Sequence, residues 1–119
     1  MAQMTKQLLS ASTSGRGIKI AATATPGTVL HTVPKLAAAD LDEVWIYVVN
    51  SSTVDRKLTI EFGGVTDPDN QIEFTVPGGA DGLYLVIPGF LLDTLAVVRA
   101  FAAAADVIIC FGYVHRIIA

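Results

Sequence analysis

Turn-forming residues cut this chain into short segments from one end to the other. Gly15-Arg16-Gly17, Thr25-Pro26-Gly27, Ser51-Ser52-Thr53, Gly63-Gly64 and Pro88-Gly89 each interrupt a run of apolar and β-branched residues. So do the stretches 67–70 and 77–82. Pro presets the φ of a first corner and Gly permits the second, so Thr25-Pro26-Gly27 is a turn with a mechanism. Punctuation at intervals of about 8–12 residues leaves room for strands and little for long helices. The pattern is that of a sandwich or jelly roll. No internal repeat is evident, which argues against a propeller or solenoid.

Eight strands fit between these turns, and they predict an all-β, eight-stranded antiparallel jelly-roll-like sandwich. The first two are Ile18–Ala21 and Thr28–Val33. In Lys57–Phe62, residues Leu58, Ile60 and Phe62 point one way and Lys57, Thr59 and Glu61 the other, as in a sheet with one wet face. Gln71–Val76 repeats the alternation with Ile72, Phe74 and Val76 inward, so the two segments read as a hairpin. Val44–Asn50 and Leu83–Ile87 differ, being apolar on both faces. Pro88-Gly89 should stop the second of these. Residues 34–41 read as a loop or one helical turn.

Residues 90–106 fit two patterns. Leu91, Leu95, Val98 and Ala102 recur at helical spacing, whereas Leu95, Val97, Arg99 and Phe101 share one face of a strand. We read 95–103 as a strand, because the final run Val107–Ile118 needs a partner in an all-β chain. Gly112 inside that run marks a bulge or a close backbone approach. Residues 1–15 are small and polar and read as a flexible N-terminal arm; 16–119 form a single β-sandwich domain.

Composition bears on partners. A chain of 119 residues is one domain's worth. Only 16% of its residues are charged, against about 25% in a typical soluble domain, while 52% are hydrophobic. So small a domain has much surface for its volume, so part of that surface must be apolar, and subunit contacts are the simplest cover. The net charge of −3 and the scattered Lys and Arg residues exclude the basic footprint of a nucleic-acid binder. No stretch is long and apolar enough for a signal peptide or a membrane span, so the expectation is a chain used without secretion or membrane insertion. Cys110 is the sole cysteine and sits in the apolar run Val107–Phe111, which predicts a buried, inert thiol.

The chemistry-bearing residues form no recognisable motif. His31 and His115 are far apart and lack nearby ligand-spaced Asp, Glu or Cys. There is no Gly-x-Ser-x-Gly elbow, phosphate loop or His-Glu-x-x-His. Asp67-Pro68-Asp69 has the spacing of a calcium loop's start without its Gly and distal Glu. The acids at 40–43, 67–69, 81 and 93 fall at turns, where carboxylates cap backbone N–H groups. Glu61 and Glu73 are expected on the wet side of the hairpin, meeting each other, Lys57 or a partner subunit. No catalytic, cofactor-binding or metal-binding residue is assigned, and no enzyme activity is expected. Trp45 and Tyr47 share one face of a strand, opposite Val44, Ile46 and Val48. Exposed, they would make a carbohydrate platform or an interface anchor.

Several phrases together resemble the small capsid decoration proteins of tailed bacteriophages, also called cement or head-stabilisation proteins. They are Asp42-Glu43-Val44-Trp45-Ile46-Tyr47 with Asn50, Leu58-Thr59-Ile60-Glu61-Phe62-Gly63-Gly64 and Ile87-Pro88-Gly89. Val98-Arg99-Ala100-Phe101 and Gly112-Tyr113-Val114-His115-Arg116-Ile117 complete the set, so the resemblance runs from about residue 16 to the end. It implies a jelly roll that sits as a trimer on the outer surface of a virion capsid, assembled in the host cytoplasm, and clamps neighbouring major capsid protein subunits. Two-fold dimers are the commoner base case; the preference for three comes from the resemblance. A carbohydrate-binding jelly-roll module is the alternative.

Overall fold

The alternation of buried and half-buried residues along 41–50 is the frame on which the fold is built. Asp42, Val44, Ile46, Val48 and Asn50 are buried, and the residues between them are partly exposed. That is the period of two expected of a strand packed on one face. The computed structural model describes residues 3–79 and 82–119. Met1, Ala2, Ala80 and Asp81, which the sequence places in the arm and in a turn, lie outside the described residues.

Nine strands form: β1 (Gln3–Leu8), β2 (Ile18–Lys19), β3 (Thr28–Thr32), β4 (Leu41–Asn50), β5 (Arg56–Phe62), β6 (Gln71–Val76), β7 (Tyr84–Leu92), β8 (Val97–Ala102) and β9 (Ile108–Ile118). No helix occurs among the described residues. The first sheet has the order β1-β9-β4-β7, with β2 also on β9, and the second has the order β3-β8-β5-β6. All pairings are antiparallel. From β2 onward the chain crosses between the sheets in the manner of a jelly roll, a two-sheet fold of eight strands.

The extra strand has a simple origin. β1 pairs with Tyr113–Ile118 and β2 with Ile109–Cys110, so the two follow each other along one edge of β9. The intervening excursion drives Leu9 into the core. It is held there by bonds from the Ala11 N–H to the Leu30 carbonyl (3.2 Å) and from the Thr32 N–H to Ser10 Oγ (2.7 Å). The sequence reading put Gln3–Leu8 in a flexible arm because residues 1–15 read as small and polar, although Met4 and Leu8 fall on one face of the strand. In the structure they remain largely exposed and are ordered by the backbone ladder with β9.

Two further expectations change, and the strand reading of 95–103 holds. The strand stopped by Pro88-Gly89 continues to Leu92. β7 is an edge strand, where a missing N–H costs no ladder bond, and the register shifts between Val44 and Trp45 absorb the irregularity. Gly89 takes φ +85°, and a Cβ there would lie 2.8 Å from the Trp45 ring. Residues 90–106 form no helix; Asp93–Ala96 is a turn, and Val98, Ala100 and Ala102 of β8 are buried while Val97, Arg99 and Phe101 are half-buried on the other face. The wet side of β5 is largely covered, since Thr59 and Glu61 are buried beside Leu58 and Ile60.

The core lies between the sheets and is aliphatic, with Val44, Ile46, Val48, Ile108, Cys110 and Val114 meeting Leu58, Ile60, Val98 and Ala100. Gly112 is the close approach anticipated for it: a Cβ would sit 2.0 Å from the Trp45 carbonyl oxygen. Phe74 points to the expected face, paired with Leu58, yet β6 is an edge strand and leaves it 36% exposed against Tyr84. Ile60→Ala should therefore cost about 2–5 kcal/mol, and Phe74→Ala clearly less than the roughly 3–5 kcal/mol of a fully buried Phe, measured by urea melts. Burial pushes the Cys110 thiol up to about 12. A thiol reagent should leave native protein unlabelled and modify Cys110 stoichiometrically in denaturant.

Candidate functional site

The residues of β4 and β9 meet in strict register from Leu41↔Ile117 to Asn50↔Ile108. Neighbours along a strand face opposite sides, so Asp42 and Glu43 part company, as do His115 and Arg116. Two polar clusters result, one on each side of the sheet.

The inner cluster is buried. Arg116 grips Asp42 bidentately, Nε donating to Oδ1 (2.8 Å) and Nη2 to Oδ2 (3.1 Å). His31 Nδ1 accepts the Ser10 backbone N–H (3.0 Å), which leaves the ring proton on Nε2 to be donated to Asp42 Oδ2 (2.8 Å). Burial alone would raise the Asp42 carboxyl, but the hydrogen bonds from Arg116 and His31 outweigh it and hold the group below its ordinary range. The same bond raises Arg116. Serine, histidine and aspartate thus come together, but the Ser10 hydroxyl accepts from Thr32 and does not face the imidazole, so the geometry is not that of a hydrolytic triad. The cluster ties the excursion after β1 to β3, β4 and β9.

The outer cluster sits on a half-open face. Glu43 Oε1 accepts from the Trp45 indole N–H (2.7 Å) and pairs with His115 Nδ1 (3.0 Å). The Trp45 bond, with that of His115, lowers the Glu43 carboxyl against the opposing effect of burial. Trp45 and Tyr113 are cross-strand partners with near-parallel rings, 6.2 Å between centroids, and Lys6 lies 5.0 Å over Tyr113.

Around this polar island the outer face of the first sheet is apolar. Tyr47 pairs with Phe111 on one side and Leu85 on the other; Leu8 pairs with Tyr113, Met4 with Ile117, and Leu91 with Glu43. Met4, Leu8, Leu85, Leu91 and Phe111 are exposed, from 39% to 57%. The face spans four strands.

The expected site residues are distributed as follows. Trp45 and Tyr47 share the outer face, as anticipated, and lie half-buried among these neighbours. His31 and His115 are not brought together; each takes its own carboxylate from the Asp42-Glu43 pair. Those two acids lie within β4 and cap no turn, whereas Asp55 accepts the Gly78 N–H (2.9 Å) and Asp40 the Ala119 N–H (3.0 Å) as turn and end caps do. Glu73 pairs with Lys57, while Glu61 is buried and accepts from Thr25 Oγ1 and the Gly27 N–H. No group of three His, Cys, Asp or Glu able to hold a metal ion occurs among the described residues. Sequence reasoning missed the Asp42–Arg116–His31 cluster; extending the period of β4 back through Asp42 would have placed that acid inward.

Comparison with protein-family models, with curated proteins and with solved structures gave no match.

The Asp42 carboxylate gives a pH test. Its folded pKa is depressed, so its contribution is complete above the unfolded value of about 4 and is lost as pH falls through the folded value. Asp42→Asn should cost about 3–5 kcal/mol at neutral pH by leaving Arg116 without its partner. The variant should also show a shallower loss of stability below pH ~4 than the parent, in chemical melts across that range.

Proposed function

We propose that this chain is a structural capsid decoration protein that binds the outer surface of a viral shell as a homotrimer and stabilises contacts between major capsid protein subunits. The observation that carries the reading is the exposed apolar outer face of β1-β9-β4-β7. Monomers rarely leave a contiguous apolar face of this kind open. It lies on a sheet whose opposite face already fills the core, so folding of one chain gives it no further cover. The fold is consistent with this role, and two phrases that carry the family resemblance, Asp42–Tyr47 and Gly112–Ile117, are partners across one ladder that builds the face. Aromatic side chains and a sparse set of charges are the composition of an interface centre.

The carbohydrate-binding alternative gains little on this face. The Trp45 indole N–H is already donated to Glu43, and the surrounding side chains are aliphatic or aromatic with few groups to meet sugar hydroxyls.

Sedimentation equilibrium should find a species of three times the 12.5 kDa chain mass at micromolar concentration, persisting in molar salt because charge contributes little. Leu85→Asp or Phe111→Asp, both at exposed positions, should leave the circular dichroism spectrum intact and lower the mass to one chain. Shells lacking the protein should take up the parent and reject these variants. A monomeric parent would defeat the interface, and a trimer that ignores shells would defeat the decoration role.

A further inference from the structure

The outer face of the second sheet is built differently. It holds a cleft of about 430 Å³ between two loops. One wall is Thr23 to Thr25 and the other is Val65 with Asp67, while Thr59 and Phe101 lie beneath and the Lys57–Glu73 pair and Gln71 border it. From this construction the geometry points to a binding site for an uncharged saccharide, on the face opposite Trp45.

The walls are fixed before any ligand arrives. The 22–27 segment is pinned at its start by the Ala102 N–H on the Ala22 carbonyl (3.1 Å). Further along, Glu61, wholly buried, accepts from Thr25 Oγ1 and from the Gly27 N–H (2.7 Å). A carboxylate taken out of water is costly unless its oxygens are met, and here both are met by the loop that forms the wall. The facing loop is closed by Asn70: its N–H donates to the Thr66 carbonyl (2.9 Å), and its Oδ1 accepts from the Thr66 N–H (3.2 Å). A preformed cleft spares a ligand the cost of ordering its site.

The lining chemistry selects the class of ligand. The volume falls within the range of small-molecule sites, about 300–1,000 Å³. Asp67 and Glu73 outnumber Lys57, and Lys57 is already paired with Glu73, so an anion finds no free cation. The lining is mostly apolar, yet a wholly apolar ligand would strip water from Gln71, Glu73 and Thr23 at its border without replacing their bonds. A polyhydroxylated ring answers both demands. Its C–H face can rest on the half-buried Phe101 ring, and its hydroxyls can give to the Glu73 carboxylate and exchange bonds with the Gln71 amide and Thr hydroxyls.

The test is a heteronuclear NMR titration of the full chain with glucose, galactose, mannose, N-acetylglucosamine and lactose, with sialic acid as an anionic arm. A neutral sugar should give saturable shifts at millimolar concentration, confined to amides of 23–25, 57–61, 71–75 and 101–103. Phe101→Ala should weaken that affinity by about tenfold or more. Glu73→Gln, at a position half open to water and so without risk to the fold, should weaken it as well. Trp45→Ala should leave it unchanged. The proposal is overturned if no neutral sugar gives saturable shifts up to roughly 50 mM. It is equally overturned if the shifts fall on 43–49 and 111–115, if sialic acid binds better than the neutral sugars, or if Glu73→Gln has no effect. These outcomes do not depend on the oligomeric state or on shell binding.

Discussion

The ten-residue antiparallel pairing of β4 with β9 is the constraint from which the rest of the molecule follows. It sets the inner faces of two long strands against the second sheet, places Gly112 where only a hydrogen fits under the Trp45 carbonyl, and fixes which polar side chains meet. A slip of β4 by one residue against β9 would turn Asp42 outward and Glu43 toward the core while Arg116 kept its inner position. The bidentate Asp42–Arg116 bond therefore acts as a register lock, because either group buried without the other would be strongly unfavourable. His31 extends the lock to β3 and, through the Ser10 N–H, to the turn that carries the first strand.

The two outer faces of the sandwich have opposite characters. On the first sheet, cross-strand partners stack aromatic and aliphatic side chains over four strands, with one internally paired acid–base island. On the second, two loops fold back over the sheet, one tied down by Glu61 and the other closed by Asn70, and a mostly apolar cleft with polar borders lies between them. An extended apolar face suits a large protein surface, and a walled cleft with a few polar groups suits a small ligand. One chain can thus be held in an assembly by one side while the other stays open to solvent.

Much of the architecture was legible in the chain because turns and strand periodicity are local properties. Pro and Gly dictate corners through their own φ preferences, and the period of two along 44–50 and 57–62 needs no knowledge of neighbours. The inward sets Val44-Ile46-Val48 and Leu58-Ile60 are buried as the pattern requires, as is Cys110. The pairing of Trp45 with Tyr47 on one face was equally local. Depth was not legible. Phe74 has the right face but sits at an edge, and Thr59 and Glu61 have a polar pattern but lie under a loop that starts more than thirty residues earlier.

The sequence by itself determined the all-β class, most of the strands and turns, and the surplus of apolar residues, because each depends on residues close together in the chain. Tertiary structure alone decided which strands are edges, that Pro88 is tolerated within β7, and that the polar Gln3–Leu8 becomes a strand. It also decided that two adjacent acids would claim two distant histidines from opposite sides of a sheet. These are consequences of strand order and register, and order and register arise from contacts between segments tens of residues apart, for which a single sequence carries no local signal.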